Sequence, residues 1–288
     1  MHLYSIQNYA ILMVGIPSIV ASHTPFKLKI TLGYFHAYML RITAKYADWK
    51  ETRVKESYNS LSYTPTPPPS LRLKVGGAID RQEFLDIGNR NADDIDHILQ
   101  THLKKNLSSF HDVLDFGCGC GRTLIWLYHL TSKPKYYGTD IDKEAIEWCE
   151  NNLKFAEFGI NNALPPMRYM SDTFDIVLAI SVFTHLDEGM QLAWIQELYR
   201  VLKPKGILLI SVHGENALKN KPKNIREEFE SKGFVFVKVL RGKFPTWYQL
   251  SYQTETYIRQ KYNRYFKLVS YLERALNNHQ DVALLEKR

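Results

Sequence analysis

The stretch Val113-Leu114-Asp115-Phe116-Gly117-Cys118-Gly119-Cys120-Gly121-Arg122-Thr123 decides the fold. Residues 112–116 form a short apolar run that reads as a strand, and Arg122 to Leu130 carries a helical pattern. Between them lie three glycines at alternate positions. Glycine is required where the backbone takes positive φ or where a ligand must touch it. A strand running through such a turn into a helix is the usual cradle for an adenosine-containing cofactor. By itself the Gly-x-Gly-x-Gly pattern also suits a nicotinamide site.

Three features separate the two. Asp115 stands two residues before the first glycine, at the carboxyl end of the strand. A carboxylate there repels a pyrophosphate and attracts a cofactor carrying an ammonium and a sulfonium. The spacing also lacks the second intervening residue of Gly-x-Gly-x-x-Gly. Finally, Tyr137-Gly138-Thr139-Asp140-Ile141-Asp142 places an acid at the end of a second strand, 19 residues after Gly121, where it can accept both ribose hydroxyls.

Downstream, strands alternate with helices. Lys135 to Thr139 is expected as strand two and Lys143 to Phe155 as a helix, with a weak third strand near Ala156–Phe158. Phe174 to Ile180 reads as a buried central strand, Gly189 to Leu202 as a helix, and Ile207 to Val212 as strand five. The tail departs from this rhythm. Phe234–Leu240 and Thr246–Ser251 read as an inserted hairpin and Glu255 to Tyr265 as a helix. Phe266–Leu272 and Val282–Glu286 read as a closing pair of strands turned through Asn277-Asn278.

On these residues the chain resembles the class I S-adenosylmethionine-dependent methyltransferases. The resemblance covers roughly Leu71 to Lys287 and is most specific in Val113–Thr123, Gly138–Asp142 and Phe174–Leu186. It implies an α/β fold: a seven-stranded, mostly parallel, doubly wound sheet ordered 3-2-1-4-5-7-6, with strand 7 antiparallel. It further implies that Gly117, Cys118, Gly119 and Gly121 shape the turn against the methionine half of S-adenosyl-L-methionine, with Asp115 near its amino group. Asp140 would hold the ribose, Ile141 pack on adenine, Asn161 meet the adenine amine, and Ser181 face the cofactor from the end of strand four. In Leu202-Lys203-Pro204-Lys205-Gly206, Lys205 departs from the glycine usual in the family.

A sulfonium methyl is already activated, so the protein's task is to align the acceptor and take its proton. His185, in Ser181-Val182-Phe183-Thr184-His185-Leu186, is the candidate base, with a structural loop histidine as the competing reading. His213 is a second candidate. Trp247 and Tyr248, with Tyr252 and Tyr257, either wall an acceptor pocket or cover the sheet edge. The expected acceptor is a small molecule or sugar. The alternative is a non-catalytic S-adenosylmethionine-binding protein that acts through its surface or its N-terminal segment.

Composition bounds the rest. The 288 residues are 45% hydrophobic, enough for a full core. Three cysteines, at 118, 120 and 149, argue against a disulfide framework, and their spacing gives no zinc site. The net charge of +7 divides unevenly. Residues 1–110 hold 13 basic and 9 acidic side chains, residues 111–214 hold 9 and 13, and residues 215–288 hold 15 and 8. No basic block is interleaved with stacking aromatics, so no nucleic acid is expected.

Residues 1–63 form a separate N-terminal helical extension, 64–70 a proline-rich linker, and 71–288 the main domain. In the extension Phe35, Tyr38, Met39, Ile42, Tyr46 and Trp49 recur at helical steps. This face is expected to dock on the main domain, with a peripheral membrane contact through residues 1–60 as the alternative. The apolar run Ala10–Ala21 contains Gly15 and Pro17 and falls short of the roughly 20 residues a bilayer needs. No Lys or Arg precedes it, which argues against a secretory signal, and a cytoplasmic protein is expected. Asn91 to Leu103 is read as a helix with Asp93, Asp94 and Asp96 in its first turn. The sequence leaves oligomeric state open.

Overall fold

The computed structural model describes residues 38–51, 64–238 and 249–288, which fall into two compact units, Met1–Asp86 and Ile87–Arg288. The division lies beyond the proline run at 64–70.

In the first unit, α1 (residues 38–51) is followed by α2 (Pro69–Gly76). The proline run is extended only to Pro68. Pro69 then opens α2, where its fixed φ suits the first turn and its missing N–H is not needed. Gly77 closes the helix at φ +78, with its N–H on Leu73 O. Tyr38, Met39, Ile42, Tyr46 and Trp49 are exposed, while the opposite face is the one held. Ala44 is buried, Asp48 accepts from the Ser70 N–H at 3.0 Å, and Glu51 binds the fully buried Arg72 at 2.7 Å. Phe35 lies outside the described residues.

Helix α3 (Arg81–Leu103) begins ten residues before the expected Asn91. Gly88, which reads as a turn, sits inside it because the position has no room for a side chain. A Cβ there would strike the backbone oxygen of Arg122 and come within 2.7 Å of Trp126 Cδ1. The acids expected in a first turn therefore lie mid-helix and serve as anchors. Asp94 accepts from the Asn277 N–H at 2.7 Å, and Asp96 from the Leu107 N–H at 2.8 Å.

The second unit then winds β1 (Asp112–Phe116), α4 (Arg122–Leu130), β2 (Lys135–Asp140), α5 (Lys143–Asn152), β3 (Ala156–Ile160), β4 (Phe174–Ala179), α6 (Glu188–Val201), β5 (Leu202–Val212), α7 (Lys223–Lys232), β6 (Phe234–Val237), β7 (Leu250–Gln253), α8 (Glu255–Tyr262), β8 (Phe266–Leu276) and β9 (Gln280–Lys287). The main sheet is ordered β3-β2-β1-β4-β5-β9-β8, the expected 3-2-1-4-5-7-6. Strands β1 to β5 are parallel, and β9 runs antiparallel to both β5 and β8. The β8–β9 turn uses Asn277 (φ +50) and Asn278 (φ +51), the left-handed pair that a tight hairpin requires.

Val113, Leu114, Ile176, Val177, Leu178, Leu208, Leu209 and Ile210 are fully buried, as central parallel strands covered on both faces should be. Strand order reverses between β1 and β4. The loops at their carboxyl ends therefore diverge and leave a crevice.

Strands β6 and β7 pair antiparallel as a separate two-stranded sheet, within the region where Phe234–Leu240 and Thr246–Ser251 were expected as a hairpin; residues 239–248 lie outside the described residues. Helix α7 was not expected. Its sequence offers only Ile225 and Phe229 to an apolar face, and Phe229 alone is buried. Among the described residues no helix is long and apolar enough to cross a membrane.

Candidate active site

The crevice is built first from β1 and its glycine turn. Gly117, Gly119 and Gly121 take φ of +79°, +55° and +74°. At Gly117 a Cβ would overlap Val182 Cγ2, and at Gly121 it would stand 2.5 Å from Leu153 Cδ1. These two positions demand glycine both for their φ and for close packing. The turn is tied to β2 by the Gly117 and Cys118 N–H groups, which both donate to Thr139 O at 2.7 and 3.0 Å.

Two carboxylates flank the turn. Asp115 is 2% exposed, and its carboxyl is pushed up to about 7, chiefly by burial and then by the negative charge of Asp140; Arg122 opposes the shift. Asp140 accepts from the Gly119 N–H at 2.8 Å on one oxygen and from the Asp142 N–H at 2.8 Å on the other. Its pKa is raised by burial in spite of these donors. Each carboxylate oxygen has a second lone pair, so Asp140 retains acceptor capacity for a diol.

Asn161, just past β3, donates its backbone N–H to Asp140 O at 3.0 Å and its amide nitrogen to Asn162 O at 3.0 Å. Its buried Oδ1 has no partner among the described residues. Two desolvated acids that ionise more readily beside a cation, a ribose-sized acceptor pair and an orphan carbonyl suited to an amine form an acceptor set that fits S-adenosylmethionine.

Across the switch point, Ser181 holds φ +59° at the end of β4, a rare conformation for a non-glycine residue. It is fixed by its N–H on Ser211 Oγ at 2.7 Å and by its hydroxyl against the Gln280 amide at 2.9 and 3.0 Å. Four residues on, His185 Nδ1 lies 2.7 Å from Gln249 O. A carbonyl only accepts, so Nδ1 carries the proton and Nε2 is the unprotonated nitrogen. Burial holds the imidazole down at about 4, so it is neutral at physiological pH.

His213, after β5, repeats the arrangement. Its Nδ1 faces Ser251 O at 3.3 Å, its ring lies 5.3 Å from that of Tyr252 and 6.0 Å from that of His279, and burial pushes it down to about 3. Both histidines therefore rest on carbonyls of the β7 segment.

That platform was not evident in the sequence. It is secured by Gln191 of α6, which is fully buried. The Gln191 amide nitrogen donates to Phe183 O (2.8 Å), Leu186 O (3.1 Å) and Ser251 Oγ (3.2 Å), while its Oε1 accepts from the Tyr262 hydroxyl at 2.9 Å. Ser251 adds its own hydroxyl to Phe183 O at 2.7 Å and its N–H to Thr184 O at 2.9 Å. One buried residue thus joins both ends of the His185 loop to β7.

Tyr252 is buried beneath Lys221, whose Nζ lies 5.8 Å above the ring and whose pKa is lowered by desolvation. Tyr257 is structural, stacked on Phe234 and donating to Glu188 at 2.9 Å. Trp247 and Tyr248 lie outside the described residues.

Among the described residues, the cluster nearest to a metal-binding set is His111, Asp112 and Asp175, at the opposite end of β1 and β4. Lys203 already bridges its two carboxylates at 2.8 and 3.0 Å.

Comparison with known proteins shows the family. The methyltransferase-domain family matches residues 107–267, more than half of the chain. The chain belongs to the class I S-adenosylmethionine-dependent methyltransferases. Its cofactor is S-adenosyl-L-methionine. It is 35% identical over 104 residues to the uncharacterized methyltransferase YodH of Bacillus subtilis (strain 168), covering 34% of this chain and 41% of that one. It is 27% identical over 111 residues to the tRNA N(3)-methylcytidine methyltransferase Mettl2 of Drosophila melanogaster, covering 35% and 34%. The chain therefore matches well under half the length of these curated relatives. The crystal structure of the PH0226 protein from Pyrococcus horikoshii OT3 superposes with a TM-score of 0.50 at 19% identity, over 68% of this methyltransferase and 89% of that chain, and shares the fold.

Proposed function

We propose that this methyltransferase transfers a methyl group directly to a small molecule or sugar held at the carboxyl ends of β1, β4 and β5. The cofactor, when bound, supplies an electrophilic methyl on a positively charged sulfur. The residues around it do the rest. Asp115 receives the ammonium, Asp140 the ribose hydroxyls and Asn161 Oδ1 the adenine amine, while Ile141 packs on the base and the turn through Cys118 takes the methionine half. His185 Nε2 takes the proton of the acceptor hydroxyl or amine as the new bond to carbon forms and the bond to sulfur breaks.

The observation that carries this reading is the pairing of two buried acids around the glycine turn with a neutral, Nδ1-protonated His185 across the crevice. A small acceptor is supported by the acidic balance of residues 111–214, 9 basic against 13 acidic, which repels a polyanion. The likeness to a tRNA-modifying relative spans only 35% of this chain.

Calorimetric titration with S-adenosylhomocysteine tests the cofactor site: micromolar binding that Asp140→Ala abolishes is expected, and no binding to the parent protein overturns the reading. Release of S-adenosylhomocysteine with candidate acceptors tests transfer. A pKa near 4 makes His185 a weak base in the free protein, and this favours one other reading, a cofactor-binding protein without transfer. Under that reading the cofactor binds but no acceptor, RNA included, raises its turnover.

A further inference from the structure

Past the carboxyl end of β5 the second unit gathers a cation and three rings that have no part in the cofactor set described above. The 3₁₀ turn Glu215–Leu218 leads to Lys221, whose N–H donates to Leu218 O at 2.8 Å. The Lys221 side chain is half-buried, with Nζ 5.8 Å from the centroid of the buried Tyr252 ring. That ring lies 5.3 Å from His213, and His213 lies 6.0 Å from His279. The four residues come from the end of β5, the turn after it, β7 and the β8–β9 turn, so the fold assembles them and no local motif does.

Among the described residues Lys221 has no carboxylate partner. Desolvation lowers its pKa, and no acid opposes the shift. Asp281, whose charge acts on His279, is taken up by the Tyr271 hydroxyl and the Arg274 N–H, both at 2.8 Å. Residues 239–248, which lead into β7, contain Arg241 and Lys243 but no acid. His213 is a neutral imidazole. A cation drawn partly out of water is ordinarily paired, because desolvation without a counter-charge is costly. Lys221 is therefore poised for an anion from outside the chain. It also stands on the side of the crevice that carries the candidate base. His185 and His213 rest on the carbonyls of Gln249 and Ser251, and Gln280, next to His279, holds the Ser181 hydroxyl.

We infer that Lys221 binds an anionic group of the acceptor while Tyr252, His213 and His279 wall its body, so that the acceptor is a small organic acid, a carboxylate or a phosphate ester. The inference rests on the reading of the crevice as a methyl-transfer site and names the class of molecule it takes.

Binding to the full chain saturated with S-adenosylhomocysteine tests it without requiring turnover. Benzoate and phenyl phosphate are the anionic probes and benzamide the neutral one, followed by calorimetry and by the NMR signals of the His213 and His279 rings. One anion at least is expected to bind and to shift both histidine signals saturably, with benzamide about tenfold weaker or worse. The tighter of the two anions distinguishes a carboxylate from a phosphate acceptor. Lys221→Gln should weaken that binding about tenfold or more, and Lys221→Arg, which keeps the charge, should retain most of it. Both variants should bind S-adenosylhomocysteine within a few-fold of the parent, which with circular dichroism establishes that they are folded. The inference is overturned if neither anion shifts the histidine signals, or if the folded Lys221→Gln variant binds them as well as the parent. Failure of the methyl-transfer reading shows separately, as absence of S-adenosylhomocysteine binding to the parent, and the anion titration is then read on the chain alone.

Discussion

Replacing Gln191 with methionine, which keeps the length of the side chain, removes every polar contact that joins the His185 loop to β7 through α6. The consequences can be counted. The two N–H groups of the Gln191 amide, shared among three acceptors, and one acceptance by Oε1 disappear. Phe183 O keeps the Ser251 hydroxyl, and the Tyr262 hydroxyl keeps Gln253 Oε1 at 3.1 Å. Leu186 O loses the one side-chain partner found for it among the described residues. A lost buried hydrogen bond costs about 1 kcal/mol and an acceptor left dry about 1–3 kcal/mol, while a methionine gains back some apolar burial, so the net loss should be about 3 kcal/mol. Urea denaturation followed by circular dichroism should show it as a midpoint lowered by about 1 M at unchanged slope. S-adenosylhomocysteine affinity should change little, because the glycine turn and Asp140 belong to other elements, whereas turnover should fall with the displaced His185. A loss below about 1 kcal/mol would refute the claim that Gln191 holds the loop.

Four further outcomes follow from the same geometry. His185→Gln should cut methyl transfer by about 10²–10⁴-fold while leaving S-adenosylhomocysteine affinity within a few-fold, measured by product release and calorimetry. Asp115 has a folded pKa of about 7, raised above its unfolded value, so it costs stability as pH rises from about 4 to 7. Subtracting the stability of Asp115→Asn from that of the parent across this range cancels the opposite trend of the depressed His185 and His213, and the variant should be more stable at pH 7 yet bind the cofactor product more weakly. Asn161→Ala should weaken S-adenosylhomocysteine binding several-fold with little loss of stability, since Oδ1 has no partner among the described residues and the bond from its amide nitrogen to Asn162 O is exposed. Lys205 holds φ +63°, and Lys205→Gly should raise the thermal midpoint through relief of about 1 kcal/mol of left-handed strain, its 3.5 Å pair with Glu286 being too exposed to offset this.

Legibility in the sequence followed how local each signal is. Asp115, the three glycines and Asp140 lie within one βαβ unit, so their spacing marks the candidate cofactor site, and the apolar runs of β1, β4 and β5 fix the sheet. Lys205 was legible as a departure from glycine, but the left-handed φ that makes it matter was not. Gly88 misled because a glycine within a helix and a glycine at a turn look alike in one dimension; only the backbone of Arg122 pressing on it separates them. Helix α7 was missed because two apolar residues in ten give no period.

The His185 platform was hidden for a different reason. Its contacts are to the carbonyls of Gln249 and Ser251, and a carbonyl is common to every residue, so no side-chain pattern announces it. Gln191, by contrast, leaves a mark. Trp194, Ile195 and Leu198 define the buried stripe of α6, and Gln191 stands at the next position on that stripe, an amide where the period calls for an apolar residue. A buried amide that breaks an amphipathic pattern has to satisfy its donors and acceptor somewhere. At the amino-terminal turn of α6, the nearest backbone groups are those of the loop that leaves β4, the loop carrying Ser181 and His185. Read this way, the polar residue in the wrong place marks where the fold fixes its candidate base.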